Sequence, residues 1–265
     1  MSSEYSGNFP CSLFNCPGCS NSLVPGQNVI GFPFTLTEKL GQGGFACVYR
    51  GNFHKGEAAF KFIPIEEQKE VYNHYAVGCH EYDEQIRAHE ELKSLVDKPY
   101  GYLFVKLVCF ILSNFYNLKS KEMQFYFVLI LKLRRSSLRK MMQDGLVNDR
   151  IKKQVLLGLK KVAIRDVSRD AHGDIKPDNI LVDYNVVNER VTDFGFVVGD
   201  WGTAGRRNEH FGGTPVYASS KAFQLSGTKD LFAFGRIASE LYLDESGKLR
   251  HYLVLKCLSN TLQQA

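Results

Sequence analysis

The chain has no apolar run long enough to cross a bilayer. Its longest, Leu107–Leu112 and Phe125–Leu131, fall well short of the ~20 residues a spanning helix needs, and Lys106 interrupts the neighbourhood of the first. Both are expected as buried strands. The N-terminal stretch Met1 to Pro10 lacks the basic start and apolar core of a secretory signal, and no Gly follows Met1 for myristoylation. A cytosolic or nuclear protein with reduced thiols is the resulting expectation. Blocks of like charge are missing as well: at a net charge of +5 the Lys and Arg residues are scattered, which favours a solvated basic surface over nucleic-acid binding.

A metal ligand is also wanting near the N-terminus. Cys11, Cys16 and Cys19 are spaced C-x4-C-x2-C around a Pro17-Gly18 turn, but a closed zinc site takes four nitrogen or sulfur ligands, and no fourth Cys and no His lies nearby. A small zinc knuckle and free thiols in a tail both remain open. Residues 1–33, rich in Ser, Asn, Gly and Pro, are expected as a flexible lead-in. At 265 residues and 44% hydrophobic content the chain can hold one large domain or two small ones.

From Phe34 the pattern changes to the apolar–polar alternation of a strand, Phe34 to Leu40. It runs into Gly41-Gln42-Gly43-Gly44-Phe45-Ala46 and a second strand, Cys47 to Phe53. Glycines at this spacing also occur in dinucleotide folds, but there they open a helix, whereas here a strand stands on each side. Ala58-Ala59-Phe60-Lys61-Phe62 follows. Further on comes His172-Gly173-Asp174-Ile175-Lys176-Pro177-Asp178-Asn179, then the apolar triplet Ile180-Leu181-Val182 and, after a hairpin, Asp193-Phe194-Gly195. Phosphoryl transfer needs a carboxylate at a hydroxyl, a cation on the moving phosphate, and an amide and a second carboxylate on magnesium. Asp174, Lys176, Asn179 and Asp193 supply those types in that order.

These motifs resemble those of the eukaryotic-type protein kinase family, from about Phe34 to Leu243. The resemblance implies an α+β, bilobal fold: a small antiparallel β-sheet N-lobe over 34–132 and a mainly helical C-lobe over 133–265, incomplete at its end. It implies ATP and Mg2+ as cofactors and a protein substrate, with no nucleic acid and no membrane as partners. By this resemblance Asp174 accepts the substrate proton, Lys176 and Lys61 contact the phosphates, and Asn179 and Asp193 hold the metal. Leu40, Gly41, Gln42, Gly43, Gly44, Phe45, Ala46 and Val48 cover the nucleotide with Ala59, Lys61 and Leu181. Leu129 or Ile130 lines the back of the adenine pocket. Lys176 implies serine/threonine specificity.

Four departures from the family pattern matter. Aligning Leu92 and Leu95 of a predicted helix Glu81–Leu95 on the family's apolar pair puts Ala88 where a Glu should hold Lys61, leaving Glu84 as candidate and Glu91 as fallback. Gly173 replaces the Arg that clamps a phosphorylated activation loop, expected here from Phe196 to Phe211, so activity is expected not to depend on phosphorylation at Thr203. The platform Gly213-Thr214-Pro215-Val216-Tyr217-Ala218 continues as Ser219-Ser220-Lys221 instead of the family's Pro-Glu. Finally, the late helices are missing, which leaves the central helix Leu231 to Leu243 with an apolar face. A regulatory partner covers that face, Tyr252 to Leu262 folds back on it, or the sequence is a fragment. A serine/threonine kinase is the leading expectation, and a pseudokinase acting as a nucleotide-binding or scaffolding module is the alternative.

Overall fold

The computed structural model describes residues 4–6, 34–43, 46–53, 56–65, 71–112, 119–168, 170–206, 213–218 and 229–242. The cysteine cluster, Gly44, Phe45, Ser219 to Lys221 and Tyr252 to Leu262 lie outside them. The chain divides into two compact units, residues 1–86 with 97–133 and residues 87–96 with 134–265. No helix among the described residues is long and apolar enough to cross a membrane.

The first unit is built on a sheet of β1 (Glu4–Ser6), β2 (Phe34–Gln42), β3 (Cys47–Phe53), β4 (Gly56–Ile65), β5 (Gly101–Leu112) and β6 (Lys119–Lys132). The strand order is β1-β5-β6-β4-β3-β2. All neighbours are antiparallel except β1 on β5. β1 lies inside the stretch expected as a flexible lead-in; its pairing covers backbone that β5 would otherwise present as an open edge.

Strand alternation gives this sheet two chemically distinct faces. Tyr49, Phe62 and Tyr126 pack edge to face in sequence on one of them, with ring centroids 5.5 and 5.8 Å apart. The opposite face carries Lys61 beside a cluster of Ala46, Ile63, Phe127 and Leu129, against which Tyr82 packs from helix α1 (Val71–Leu92). Lys61 pairs with Val48 on one side and Leu129 on the other, so these three side chains share a face, and Ile130 belongs to the aromatic side.

In the second unit, α2 (Leu138–Gln143) begins at Ser137, whose hydroxyl accepts from the Lys140 amide at 3.3 Å. α3 (Asp149–Ser168) buries Ile151, Val155, Leu159 and Val162, the stripe its spacing predicts. Gly158 belongs to that helix because Phe196 packs directly on it: a Cβ there would lie 2.4 Å from the ring. α4 (Lys229–Tyr242) adds Phe234, Ile237, Ala238 and Leu241 to the same core. The apolar face expected to lie open on this helix is therefore largely covered; Phe232 is its exposed large apolar residue among the described ones.

Short strands complete the unit. β7 (Ser136–Ser137), β9 (Ile180–Val187) and β10 (Arg190–Val198) form one sheet with β9 central, and β8 (Asp170–Ala171) pairs with β11 (Gly205–Arg206).

Candidate functional site

The segment after β8 is fixed by one buried carboxylate. Asp230, at the start of α4, accepts the amides of His172 at 2.6 Å and Gly173 at 3.0 Å, and it is 1% exposed. Charge-assisted bonds of this kind contribute about 1.5–3 kcal/mol each. Gly173 has φ +84°, and a Cβ there would lie 2.7 Å from the Thr203 carbonyl oxygen. A residue with a side chain is therefore excluded on both backbone and packing grounds.

Asp174 follows, and both its oxygens are engaged. Oδ1 accepts the Thr214 amide at 2.8 Å; Oδ2 accepts Lys176 Nζ at 2.7 Å and Asn179 Nδ2 at 3.2 Å. Lys176 Nζ also donates to the Thr214 hydroxyl at 2.8 Å. The Asn179 amide nitrogen donates again to the Asp174 carbonyl at 2.9 Å, which leaves the amide oxygen as the atom that can face a cation.

Of the four residues matched to phosphoryl transfer, Asp193 is the one not brought into this cluster. Asp193 and Phe194 together stand opposite Tyr184 on β9, a β-bulge within β10. The bulge has a reason in the sequence: Val191 is three residues from Phe194, so strict alternation would put Val191 on the opposite face from Phe194, Phe196 and Val198. One inserted residue shifts the phase and lets all four join the same core. Asp193 takes the positive φ of 50°, and its exposed carboxylate accepts from Asn185 at 3.1 Å and Thr192 at 3.2 Å. Tyr184 is five residues along β9 from Asn179, or about 16 Å at ~3.3 Å per residue.

Asp200 follows the point at which β10 comes level with Asn179. The ladder brings Val198 opposite Ile180, and the Gly199 amide donates to the Asn179 carbonyl at 2.9 Å. Asp200 comes next, with an exposed carboxylate on a left-handed backbone of φ 62° and ψ 67°, which Asp tolerates better than most residues. Trp201 then anchors the turn: it is fully buried, its indole donates to the Val198 carbonyl at 3.0 Å, and it meets the His172 ring edge to face at 4.5 Å. Asn179 and Asp200 thus lie near one another along the backbone, an amide and a carboxylate of the types a hard cation takes. Phe196, Val197 and Val198, expected within an activation loop, belong to β10.

In the first unit, Gly43 closes a turn between β2 and β3 by donating to the Ala46 carbonyl at 2.8 Å, and Leu40, Gly41, Gln42 and Gly43 are exposed. Lys61 has its acidic partner, but it is Glu81: Nζ lies 2.7 and 2.9 Å from the two carboxylate oxygens, with both side chains largely buried. Glu84 sits one turn on, buried, and Glu91 is exposed. Ala88 is fully buried in the core of the second unit.

A family model described as "protein kinase domain" matches residues 34–247, most of the chain. The chain belongs to the protein kinase family. Comparison with curated protein sequences returned no match.

Two features of this kinase escaped the reading of its motifs. Aligning Leu92 and Leu95 on the family's apolar pair put Ala88 at the partner position, whereas Glu81, seven residues earlier on the same helix, holds Lys61. The signal for Glu81 lay in the acidic run Glu81, Asp83, Glu84, of which Glu81 and Glu84 are buried. The signal for Asp200 was the second Asp-aromatic-Gly triplet, Asp200-Trp201-Gly202, which matches the family wording less well than Asp193-Phe194-Gly195.

Proposed function

We propose that this chain is a catalytically competent serine/threonine protein kinase that uses ATP and magnesium. The observation that carries the reading is the closed set of bonds among Asp174, Lys176, Asn179 and Thr214, which orients one carboxylate and one ammonium together. Asp174 is placed to take the proton of a protein hydroxyl as its oxygen bonds to the γ-phosphorus and the bond from phosphorus to the ADP oxygen breaks. Lys176, two residues on, meets the charge that develops on the transferred group. Lys61, held by Glu81, offers its ammonium to the α- and β-phosphates.

Asn179 and Asp200 are the proposed magnesium ligands, in place of Asn179 and Asp193. An amide oxygen and a carboxylate suit that ion, which when bound neutralises phosphate oxygens. Leu40 through Ala46, Val48, Ala59 and Leu181 remain the proposed nucleotide contacts. The pseudokinase alternative drew on Ala88, the altered platform and the incomplete C-lobe; the Glu81–Lys61 pair speaks against the first of these.

The test is a thermal shift with ATP, with and without magnesium, followed by phosphate transfer to a generic protein substrate and an Asp174→Asn control. Magnesium-dependent stabilisation and transfer that vanishes in the control are expected. Binding without transfer would overturn the assignment in favour of a non-catalytic module.

A further inference from the structure

Helix α3 buries one side and carries a mixture of aliphatic and basic residues on the other. Leu157 and Ile164 each follow a buried valine, Val155 and Val162, by two positions, which is about 200° around the helix. They therefore point away from the core, at 58% and 45% exposure. Lys153 stands four residues before Leu157, and Lys160 and Lys161 three and four after it, so all five share one face. Lys153 and Lys161 are exposed and Lys160 is half-buried.

The charge of this face is of one sign. No Asp or Glu occurs between Arg150 and Ile164. Arg150 donates to the Val191 carbonyl at 3.3 Å, and Lys152 lies 3.4 Å from Asp149 and 5.3 Å from the centre of the Tyr242 ring. Among the described residues, no hydrogen bond or ion pair engages Lys153, Lys160 or Lys161.

An exposed leucine alone needs no explanation. Two aliphatic side chains on one strip among three unpaired ammonium groups have a definite complement. The lysine stems extend the apolar strip, and their charges attract carboxylates over a Debye length of ~8–10 Å. Leu157 and Ile164 are about 10 Å apart along the axis, the spacing of residues i and i+7 on any helix, so an amphipathic helix lying along α3 meets both with successive anchors. A bilayer is the poorer match, because an interfacial helix buries a whole apolar face, and the apolar face of α3 is already used by the core.

We propose that this face of α3 is a docking surface for an acidic amphipathic helix of a partner protein. Its aliphatic anchors, seven residues apart, rest on Leu157 and Ile164, and its Asp and Glu side chains meet Lys153, Lys160 and Lys161. None of these five residues belongs to the cluster around Asp174, so the proposal stands apart from the kinase reading.

The test follows the fluorescence anisotropy of a labelled helical peptide of about four turns, with two leucines seven apart flanked by glutamates, as the full chain is added. Binding is expected to weaken about tenfold between ~0.05 and ~0.3 M salt. Leu157→Ser should weaken it about tenfold, the effect of one buried aliphatic side chain. The double variant Lys160→Glu, Lys161→Glu should lose it and gain affinity for a peptide with lysines in place of the glutamates, with melting temperature kept in both variants. No peptide binding, or binding unchanged when its leucines become serines, would overturn the proposal. Binding of phosphatidylserine vesicles that depends on the same residues, without peptide binding, would assign the face to a membrane instead. Peptide binding that appears only after Asp244→Lys and Glu245→Lys would mean that the chain's own acidic pair occupies the face, and would overturn the proposal too. If Leu157→Ser does not fold, the double lysine variant and the salt dependence decide.

Discussion

Two Asp→Asn substitutions in β10 and the turn after it separate the reading of the structure from the reading of the motif. Asparagine has the shape of aspartate and tolerates positive φ, so neither Asp193→Asn at φ 50° nor Asp200→Asn at φ 62° disturbs the backbone. At Asp193 the change weakens two hydrogen bonds on an exposed bulge, a loss of under about 1 kcal/mol. Activity is expected within about threefold of the unaltered chain, because the site is about 16 Å from Asn179 along β9. At Asp200 the change removes a carboxylate one residue past the Gly199–Asn179 bond. Losing a preorganised electrostatic group costs about 10²–10³ in kcat, or ~2.7–4 kcal/mol. The assay is a magnesium titration at fixed ATP, read by melting temperature and by phosphate transfer. Asp193→Asn abolishing the magnesium response while Asp200→Asn retains it would refute the assignment of the cation site.

Further outcomes follow from the same geometry. Glu81→Gln strips the charge from a largely buried pair and should lower melting temperature and weaken ATP binding about tenfold, against a small effect for Glu91→Gln at an exposed position; calorimetric titration distinguishes them. Gly173→Ala puts a Cβ 2.7 Å from the Thr203 carbonyl at φ +84° and should cost about 1–3 kcal/mol by urea denaturation. Phosphatase treatment should leave activity unaltered, since residue 173 offers no cation to a phosphorylated loop; silencing would contradict this. Because burial and the bond to Glu240 raise the Tyr217 phenol, its stabilising effect is present below about pH 10 and lost as pH climbs through about 12. Melting curves across that window should flatten in Tyr217→Phe.

Much of the fold was legible because periodicity reports burial directly. The α3 stripe is buried as its spacing implies, and the apolar runs near residues 107 and 125 are the long strands β5 and β6. Legibility failed at the partner of Lys61: Leu92 and Leu95 were matched to the family's apolar pair, but on the unbroken helix α1 it is Glu81, seven residues before Ala88, that reaches the ammonium. The covering of α4 was hidden for another reason: its stripe of Ala233, Phe234, Ile237, Ala238 and Leu241 packs on α3, a pairing between segments far apart in the chain.

The misplaced metal ligand is the more instructive case, since the motif was present and its letters were correct. A tripeptide specifies side-chain types, but a cation site is specified by distance from Asn179, and that distance is set by how far the hairpin runs. β9 and β10 turn at Asn188 and Glu189, so the returning strand comes level with Ile180 only at Val198. The residue after that point, Gly199, is bonded to Asn179 through the backbone, whatever precedes it. Val191, Phe194, Phe196 and Val198 all require the core side of β10, and their spacing forces a bulge at Asp193 whether or not a metal is ever bound. The bulge gives Asp193-Phe194-Gly195 a structural purpose of its own, and the strand register brings the residue before Asp200 level with Asn179.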